Sequence, residues 1–398
     1  MMKRRDFVKL SGLTVSATAL GGPNVLSNSL KGSNKVRIGV IGTGSRGLGM
    51  ITEMSSIADL VVVACADIIP SRLSEAVQRT NGRSESYQDY RKLLDDQNVD
   101  AVFIATPFSM HAQMAIEALD AGKHVYCEKT MAKGAESIRK VVKAVHASSK
   151  VFQTGHQYHN SRLYQAIAQM VSDDKIGPLS SFQCQWNRNG DWRRPVEDPK
   201  WERMINWRMY REYSGGMMAE LCSHQIDFIN WITGSRPQTV MGMGGIDYWK
   251  DGRETYDNIH VMMEYKNGLK GKFTCLTTNG FDDYKIKLFG KKGTIVVDYA
   301  NAWLYSEADT EKKEFDDIDG VSGATVKRSG HRNYVKINVP HKDPSRQALI
   351  DFRDSIRDGQ KVISDVKTGA LAAYGVFMAN RAMQKQTIET WDDNFYQI

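Results

Sequence analysis

The sequence lacks any apolar run long enough to cross a membrane. A spanning helix needs about 20 predominantly apolar residues, and no stretch of this chain reaches that length. We therefore expect no stable membrane anchor. A strong charge imbalance is lacking too, because the net charge is only +7 over 398 residues and is spread along the chain. This balance gives no reason to expect a nucleic-acid partner.

Cysteine is scarce, and its five copies show no CxxC pair or other metal-ligand spacing. Because most of them stand in apolar runs, we expect buried thiols rather than a disulfide framework. Internal repeats and low-complexity blocks are also lacking, and the length allows about two domains with a substantial core. The cysteines are Cys65, Cys127, Cys184, Cys222 and Cys275.

The first residues differ in kind from the rest. Arg4 and Arg5 are followed by Phe7, and residues 10–22 are small and weakly apolar. This order resembles a twin-arginine export signal, although a chance basic tail is the alternative. We therefore predict a signal and linker over residues 1–34 and a periplasmic or otherwise exported protein. Buried, unpaired cysteines fit a route that exports the chain already folded.

A glycine-rich turn, GTGSRG at 42–47, follows the short apolar run 36–41. A second apolar run, 60–66, ends on Asp67. This is the strand–turn–helix–strand–acid order of a dinucleotide-binding βαβ unit. The first glycine allows the tight turn, the second the approach of the pyrophosphate, and the third the close packing of helix on strand. The diphosphate would lie on the N–H groups at the helix N-terminus.

The carboxylate of Asp67 would accept hydrogen bonds from the adenosine ribose hydroxyls. This favours NAD, because the 2′-phosphate of NADP would be repelled. Arg46 and Arg72 weaken the preference, so NADP stays an alternative. The cofactor-binding residues predicted in this unit are Gly42, Thr43, Gly44, Ser45, Arg46, Gly47, Asp67, Ile68 and Arg72.

Two parts of the chain differ in the pattern of their apolar residues. Between residues 35 and 155, apolar strands alternate with helical patterns, which predicts a Rossmann-type, doubly wound parallel sheet with helices on both faces. Over residues 156–398 strand patterns dominate, with a hairpin signal at Asn267-Gly268. For this part we predict an α+β domain with an open, mostly antiparallel sheet. The fold class is therefore α/β.

A connected series of short motifs runs through both parts. It consists of the tripeptide Ala105-Thr106-Pro107, His111, the segment AGKHV at 121–125, the segment CEK at 127–129, and two glycines at 215–216 followed by Glu220, His224 and Asp227.

Together these motifs closely resemble the Gfo/Idh/MocA family of oxidoreductases, over nearly all of the chain after residue 34. The resemblance implies a substrate-carrying C-terminal sheet and a homo-oligomer, either a dimer or a tetramer. It also implies catalytic roles for Lys129 and His224. Two positions depart from the family pattern: Glu220 stands where most members have aspartate, and Thr130 where proline is usual. Further cofactor contacts implied are Thr106, Pro107, His111, Glu128, Lys129 and Gln157.

The chemistry of these residues suits hydride transfer from a carbinol. His224 could take the hydroxyl proton near neutral pH, and the Lys129 cation could stabilise developing alkoxide charge. Glu220 is spaced i, i+4 from His224, so on a helix both face one side and Glu220 is the third catalytic candidate. A buried structural histidine and a solvated lysine are the alternatives. A metal site is not expected, because His156 and His159 have no third ligand at suitable spacing.

Half of the eight tryptophans lie between residues 185 and 213, interleaved with arginine and tyrosine. Flat amphipathic rings beside planar donors suit a carbohydrate. A loop pinned by aromatic packing, or a subunit contact, would show the same composition. The predicted substrate contacts are Lys129, His156, Tyr158, His159, Trp192, Trp207, Arg208, Tyr210, Glu220 and His224.

Three functions remain open from the sequence. The leading one is an exported oxidoreductase with tightly bound NAD(P) that takes hydride from a ring hydroxyl of a sugar or glycoside, for example at C3. The alternative is an NAD-dependent glycosidase that oxidises transiently, eliminates the glycosidic group and returns the hydride. A non-catalytic sugar-binding protein is the third.

Overall fold

The computed structural model describes residues 35–307, 334–340 and 342–396. The export signal and linker predicted for 1–34 lie outside these ranges. Among the described helices, none has the length and apolar character to cross a membrane.

The first sheet has six parallel strands in the order β3-β2-β1-β4-β5-β6. The strand order reverses between β1 and β4, which in open parallel sheets is the usual place for a crevice at the carboxyl ends of the strands. The strands are Val36–Ile41 (β1), Leu60–Ala66 (β2), Glu85–Tyr87 (β3), Ala101–Ile104 (β4), His124–Cys127 (β5) and Phe152–Thr154 (β6). The helices between and after them are Ser45–Ser55 (α1), Pro70–Arg79 (α2), Tyr90–Asp95 (α3), His111–Asp120 (α4), Ala135–Ala147 (α5) and Arg162–Ser172 (α6).

In the described ranges, the second sheet has nine strands in the order β14-β13-β12-β11-β7-β10-β9-β8-β15. Among these strands only the β7–β10 pair is parallel, and the others are antiparallel. The strands are Leu179–Asn189 (β7), Pro237–Gly245 (β8), Asn258–Tyr265 (β9), Lys270–Leu276 (β10), Thr278–Gly290 (β11), Gly293–Asp298 (β12), Asn301–Ser306 (β13), Tyr334–Lys336 (β14) and Glu389–Thr390 (β15). The accompanying helices are Glu202–Ile205 (α7), Ser223–Thr233 (α8), Pro344–Asp358 (α9) and Val366–Lys385 (α10).

The architecture confirms the predicted fold class, a parallel Rossmann sheet followed by a mixed, mostly antiparallel one. The predicted hairpin is confirmed as well, since Gly268 between β9 and β10 has φ +84°. All five cysteines are buried and free, as expected.

Helix α9 belongs to the core of the first sheet although it lies near the end of the chain. Leu349 and Phe352 are buried in the same hydrophobic cluster as Val36 and Ile38 of β1. The Phe352 ring also meets Tyr126 of β5 edge-on, with centroids 5.6 Å apart. Residues 344–358 therefore pack on the first sheet.

The segment that carries Glu220 is not an α-helix. Met218–Cys222 forms a π-helical turn that runs directly into α8. The predicted i, i+4 relation between Glu220 and His224 therefore spans a π-to-α junction, which sequence periodicity does not reveal. π-Helical turns are rare in proteins overall, and those that do occur frequently lie at functional sites.

Candidate active site

The glycine-rich turn has the backbone of a dinucleotide cradle. Gly42 has φ +87°, and a Cβ on Gly47 would stand 2.0 Å from the Gly42 carbonyl oxygen. Gly44 caps helix α1 with no side-chain hydrogen bond from the described residues, which leaves the N–H groups of the first turn available to an anion. The turn therefore fits the diphosphate of a dinucleotide.

Asp67 lies against this turn. Its Oδ2 accepts a hydrogen bond from the Thr43 N–H at 2.8 Å, and its Oδ1 accepts from the Ile69 N–H at 2.9 Å. The guanidinium of Arg72 lies beside Gly44, where an added Cβ would be 3.5 Å from Nη1. Burial lowers the pKa of Arg72, and Asp67 opposes that shift. The side chain of Ile68, next to Asp67, is half exposed.

Arg46 and Glu128 connect the turn to the CEK motif. The Arg46 Nε donates to Glu128 Oε1 at 2.7 Å, and the Lys129 N–H donates to Glu128 Oε2 at 3.1 Å. Gly155 makes room for this arrangement, because a Cβ there would lie 2.7 Å from Glu128 Oε2. The carboxylate of Glu128 thus holds both the glycine-turn arginine and the backbone of Lys129 in place.

The ammonium group of Lys129 is buried among oxygens. Its Nζ donates to the Glu220 carbonyl at 2.8 Å and lies 3.8 Å from the carboxylate Oε2 of the same residue. That Oε2 also accepts from Arg208 Nε at 2.8 Å. Burial lowers the pKa of Lys129 while Glu220 opposes the shift. Burial raises the pKa of Glu220, but Lys129 and Arg208 outweigh it and hold the carboxyl below its ordinary value.

Backbone carbonyls of the π-helical turn hold the segment Lys129–Thr130 in place. The Ala219 carbonyl accepts from the Thr130 hydroxyl at 3.0 Å and from the Ser223 hydroxyl at 2.7 Å. The Lys129–Thr130 peptide bond is cis. His111 lies behind the loop, where its two ring nitrogens are 2.8 Å from the Thr130 carbonyl and 3.0 Å from the Thr106 carbonyl. Thr130, at the usual proline position, thus adds a hydrogen bond that proline lacks.

His224 is surrounded by rings. Its imidazole centroid lies 5.0 Å from that of Tyr158, 5.8 Å from His156 and 6.2 Å from Trp186. Its Nδ1 is buried and has no hydrogen-bond partner among the described residues. Burial, together with the positive charge of Lys129, lowers the pKa of His224 well below its ordinary value. The ring is therefore neutral at pH 7 and able to accept a proton.

The two histidines after β6 occupy different environments. His159 Nε2 lies 3.0 Å from Asp227 Oδ2, and its ring stacks on Trp231 at 4.3 Å. His156 leaves its Nε2 without a partner within the described ranges. Burial lowers the pKa of His156, and Asp227 opposes the shift. His156 thus has a nitrogen free for a ligand, whereas the His159 ring is engaged by protein groups.

The remaining predicted residues lie around this cluster. Trp207 packs under the Arg208 guanidinium, 4.4 Å from the ring centroid. Gln157 has a buried, unpartnered Oε1 in the described structure. Tyr210 donates to Glu202 Oε1, and Trp192 faces Arg188. The structure therefore gathers Lys129, Arg208, Glu220, His224, His156 and Tyr158, whereas no hydrogen bond, ion pair or ring contact in the described ranges joins Tyr210 or Trp192 to Lys129, Glu220 or His224.

Two site residues escaped the sequence-based assignment. The sequence marks Trp186 only as a member of the tryptophan-rich segment, yet its ring lies beside His224. Its alternation with Phe182 and Cys184 on the buried face of β7 was the available signal. Arg194 donates to Ser45 Oγ at 2.6 Å, which links the segment after β7 to the glycine-rich turn. No sequence pattern marks that contact.

Comparisons with known proteins match this architecture. The family description "Oxidoreductase family, NAD-binding Rossmann fold" matches residues 36–156, and "GFO/IDH/MocA C-terminal domain" matches 164–296.

The chain belongs to the Gfo/Idh/MocA family of oxidoreductases.

Among its relatives, the myo-inositol 2-dehydrogenase of Thermotoga maritima is 26% identical over 269 residues, which cover 66% of this chain and 75% of that protein. The levoglucosan dehydrogenase of Pseudarthrobacter phenanthrenivorans is 26% identical, over 59% of this chain and 64% of its own length. A levoglucosan dehydrogenase structure with NADH and levoglucosan matches at TM-score 0.73 and 20% identity, covering 89% of this chain and 99% of that one. A glycosyl hydrolase family 109 protein of Stenotrophomonas maltophilia is 29% identical, over 47% of this chain and 43% of its own.

Proposed function

We propose that the protein oxidises a ring hydroxyl of a sugar or glycoside, for example at C3, with hydride transfer to NAD and with NADP as the alternative coenzyme. The observation that carries this proposal is the buried cluster of Lys129, Glu220 and His224 at the carboxyl edge of an NAD-binding parallel sheet. Relatives named as dehydrogenases of inositol and levoglucosan support a carbohydrate substrate.

The residues of the site divide the work. NAD, when bound by the glycine-rich turn and Asp67, supplies the hydride acceptor. His224 takes the hydroxyl proton, because its lowered pKa leaves the ring neutral and therefore able to accept one. The Lys129 ammonium stabilises the negative charge that develops on the substrate oxygen. Glu220, held by Arg208, keeps that ammonium charged and in place.

Paired alanine variants test these roles. Lys129→Ala and His224→Ala should each abolish coenzyme reduction by a panel of pyranosides, because one removes the cation and the other the base. Lys140→Ala and His146→Ala are matched controls, since both side chains lie exposed on α5. Bound coenzyme, measured by mass spectrometry, should be retained in all four. Wild-type turnover in either site variant would refute the assignment.

A second candidate function is supported by the neighbouring histidine. Elimination of a glycosidic group after transient oxidation needs a second base. His156 offers a neutral ring whose centroid lies 5.8 Å from that of His224, and its Nε2 has no partner among the described residues. A relative named as a glycosyl hydrolase family 109 protein supports a hydrolytic reaction. Release of the aglycone without accumulated reduced coenzyme would favour it. A protein that binds sugars but does neither reaction would be the non-catalytic alternative.

We also propose that the protein is exported through the twin-arginine pathway with its coenzyme tightly bound. Only the sequence of residues 1–34 supports this step. Diffusible nicotinamide coenzyme is scarce outside the cytoplasm, so an exported enzyme of this kind needs to carry its own. Replacing Arg4 and Arg5 by lysine should retain the protein in the cytoplasm, and fractionation measures it. Equal export of the variant would contradict the proposal.

A homo-oligomer built on the second sheet is proposed as well. Met241 pairs in register with Met262, and together with Met243 they leave large apolar side chains exposed on one face. Apolar patches of this kind are typical of protein interfaces. A Met243→Lys variant should shift the mass measured by light scattering toward the monomer. An unchanged mass, or a monomeric wild type, would contradict it.

A further inference from the structure

A polar cavity of about 300 Å³ opens where strand β7 ends and strand β11 begins. It lies outside the Lys129–Glu220–His224 cluster. Two aromatic side chains and several hydrogen-bonding groups line it. The lining residues that matter here are Asn187, Arg188, Asp191, Trp192, Asp283 and Tyr299.

A strip of aromatic rings connects this cavity to the catalytic imidazole. The Trp186 ring lies 6.2 Å from His224 on one side and 5.9 Å from Tyr299 on the other. Tyr284 supports the strip from below, since it stacks on Tyr299 at 4.7 Å and meets Trp186 edge-on at 4.9 Å. Two ring-to-ring steps therefore lead from the proposed base to the cavity wall.

The chemistry of the wall suits a sugar ring. Trp192 and Tyr299 offer flat faces for C–H groups, and Tyr299 is 45% exposed. Around them, the Tyr299 hydroxyl donates to Asp283 Oδ1 at 3.2 Å, and the Arg188 guanidinium lies 5.9 Å from the Trp192 ring. Asn187 Oδ1 is buried without a hydrogen-bond partner in the described part of the chain. An acceptor left in that state gains from a ligand hydroxyl.

Other ligand classes fit less well. The carboxylates of Asp191 and Asp283 stand in the wall and disfavour a phosphate or a nucleic acid. An apolar ligand would leave the polar groups unpaired. A neutral polyhydroxyl ring satisfies both the aromatic faces and the hydrogen-bonding edges.

We propose that this cavity is a second sugar subsite, so that the substrate is a glycoside of at least two rings. One ring lies between Lys129 and His224, and the next lies on Trp192 and Tyr299. This inference rests on the proposed function, because it extends the same substrate. It narrows the substrate class from any pyranose to a disaccharide or a larger glycoside.

Isothermal titration calorimetry of the full chain, with the coenzyme supplied as NADH so that no oxidation occurs, tests the subsite. The probes are methyl pyranosides and matching disaccharides of gluco, galacto and manno configuration. At least one disaccharide should bind roughly tenfold more tightly than its methyl pyranoside. Trp192→Ala and Tyr299→Ala should each remove that advantage, and Tyr299→Ala should leave the methyl pyranoside affinity unchanged. Tyr248→Ala, an exposed aromatic outside the cavity, should keep it.

The outcomes separate the two proposals. Equal affinity for one-ring and two-ring probes, or an advantage that survives in both Trp192→Ala and Tyr299→Ala, overturns the subsite and leaves the proposed oxidation standing. If no sugar of either size binds to the wild-type protein, the proposed function fails and the subsite fails with it.

Discussion

Removing the charge of Glu220 should move the alkaline limb of the pH–rate profile to lower pH. Glu220→Gln keeps the length of the side chain and an oxygen that can accept from Arg208. It removes the carboxylate charge 3.8 Å from Lys129 Nζ. At that separation the attraction is about 4 kcal/mol for an effective dielectric constant near 20.

Part of this attraction is replaced, because the backbone carbonyls of Ala219 and Glu220 still accept from Lys129. The charge of Arg208 increases the fall in the pKa of Lys129. Its positive charge already lowers that pKa, and in Glu220→Gln it would lose its carboxylate partner. We expect the pKa of Lys129 to fall further below its ordinary value, because burial is then opposed by one charge fewer. An ammonium group that must be charged in the transition state is then lost at a correspondingly lower pH.

The assay is kcat as a function of pH, with circular dichroism and coenzyme binding as checks on the fold. Glu220→Asp is the matched control, because it keeps the charge and should hold the limb near its wild-type position. An unmoved limb in a folded, coenzyme-binding Glu220→Gln protein would refute the electrostatic role given to this residue.

Three further substitutions test other parts of the account. Gly47→Ala places a Cβ 2.0 Å from the Gly42 carbonyl oxygen and should abolish NAD binding in calorimetry, whereas wild-type affinity would show that the turn is not the cradle. Asp67→Asn should shift the ratio of NADP to NAD affinity by roughly tenfold toward NADP, because it leaves Arg72 unopposed near the ribose; an unchanged ratio would count against that role. Phe352→Ala should lower the free energy of unfolding by about 3 to 5 kcal/mol, measured with denaturant, since its ring is 1% exposed between β1 and Tyr126. A loss below about 1 kcal/mol would mean that α9 is not part of that core.

Much of the fold follows from local sequence signals. Continuous apolar runs such as 101–104 mark buried parallel strands, and the Asn267-Gly268 turn fixes a hairpin, because these patterns depend on neighbours along the chain. The placement of α9 does not follow, since its apolar face fits either sheet and only tertiary packing decides. The π-helical turn at 218–222 is likewise hidden, because it leaves hydrophobic spacing almost unaltered.

The candidate site, like the fold, follows only in part from local sequence signals. Short motifs locate Lys129 and His224, but the charges that tune them come from residues distant in sequence. Arg208 reaches Glu220 across a loop, and Arg46 in the glycine-rich turn reaches Glu128 after β5. Long-range pairs of this kind depend on backbone geometry that a single sequence does not encode locally. The contact of Trp186 with His224 could have been inferred in part from the alternation along β7.

The central claim is that a ring C–H of a sugar passes its hydrogen to the nicotinamide beside Lys129 and His224. The most direct measurement uses ring-deuterated methyl pyranosides and disaccharides with the NAD-loaded wild-type protein, followed by mass spectrometry of the coenzyme. The account predicts that deuterium appears in the coenzyme of the wild type and is missing in His224→Ala. A coenzyme that gains no deuterium under conditions where the sugars bind would contradict it.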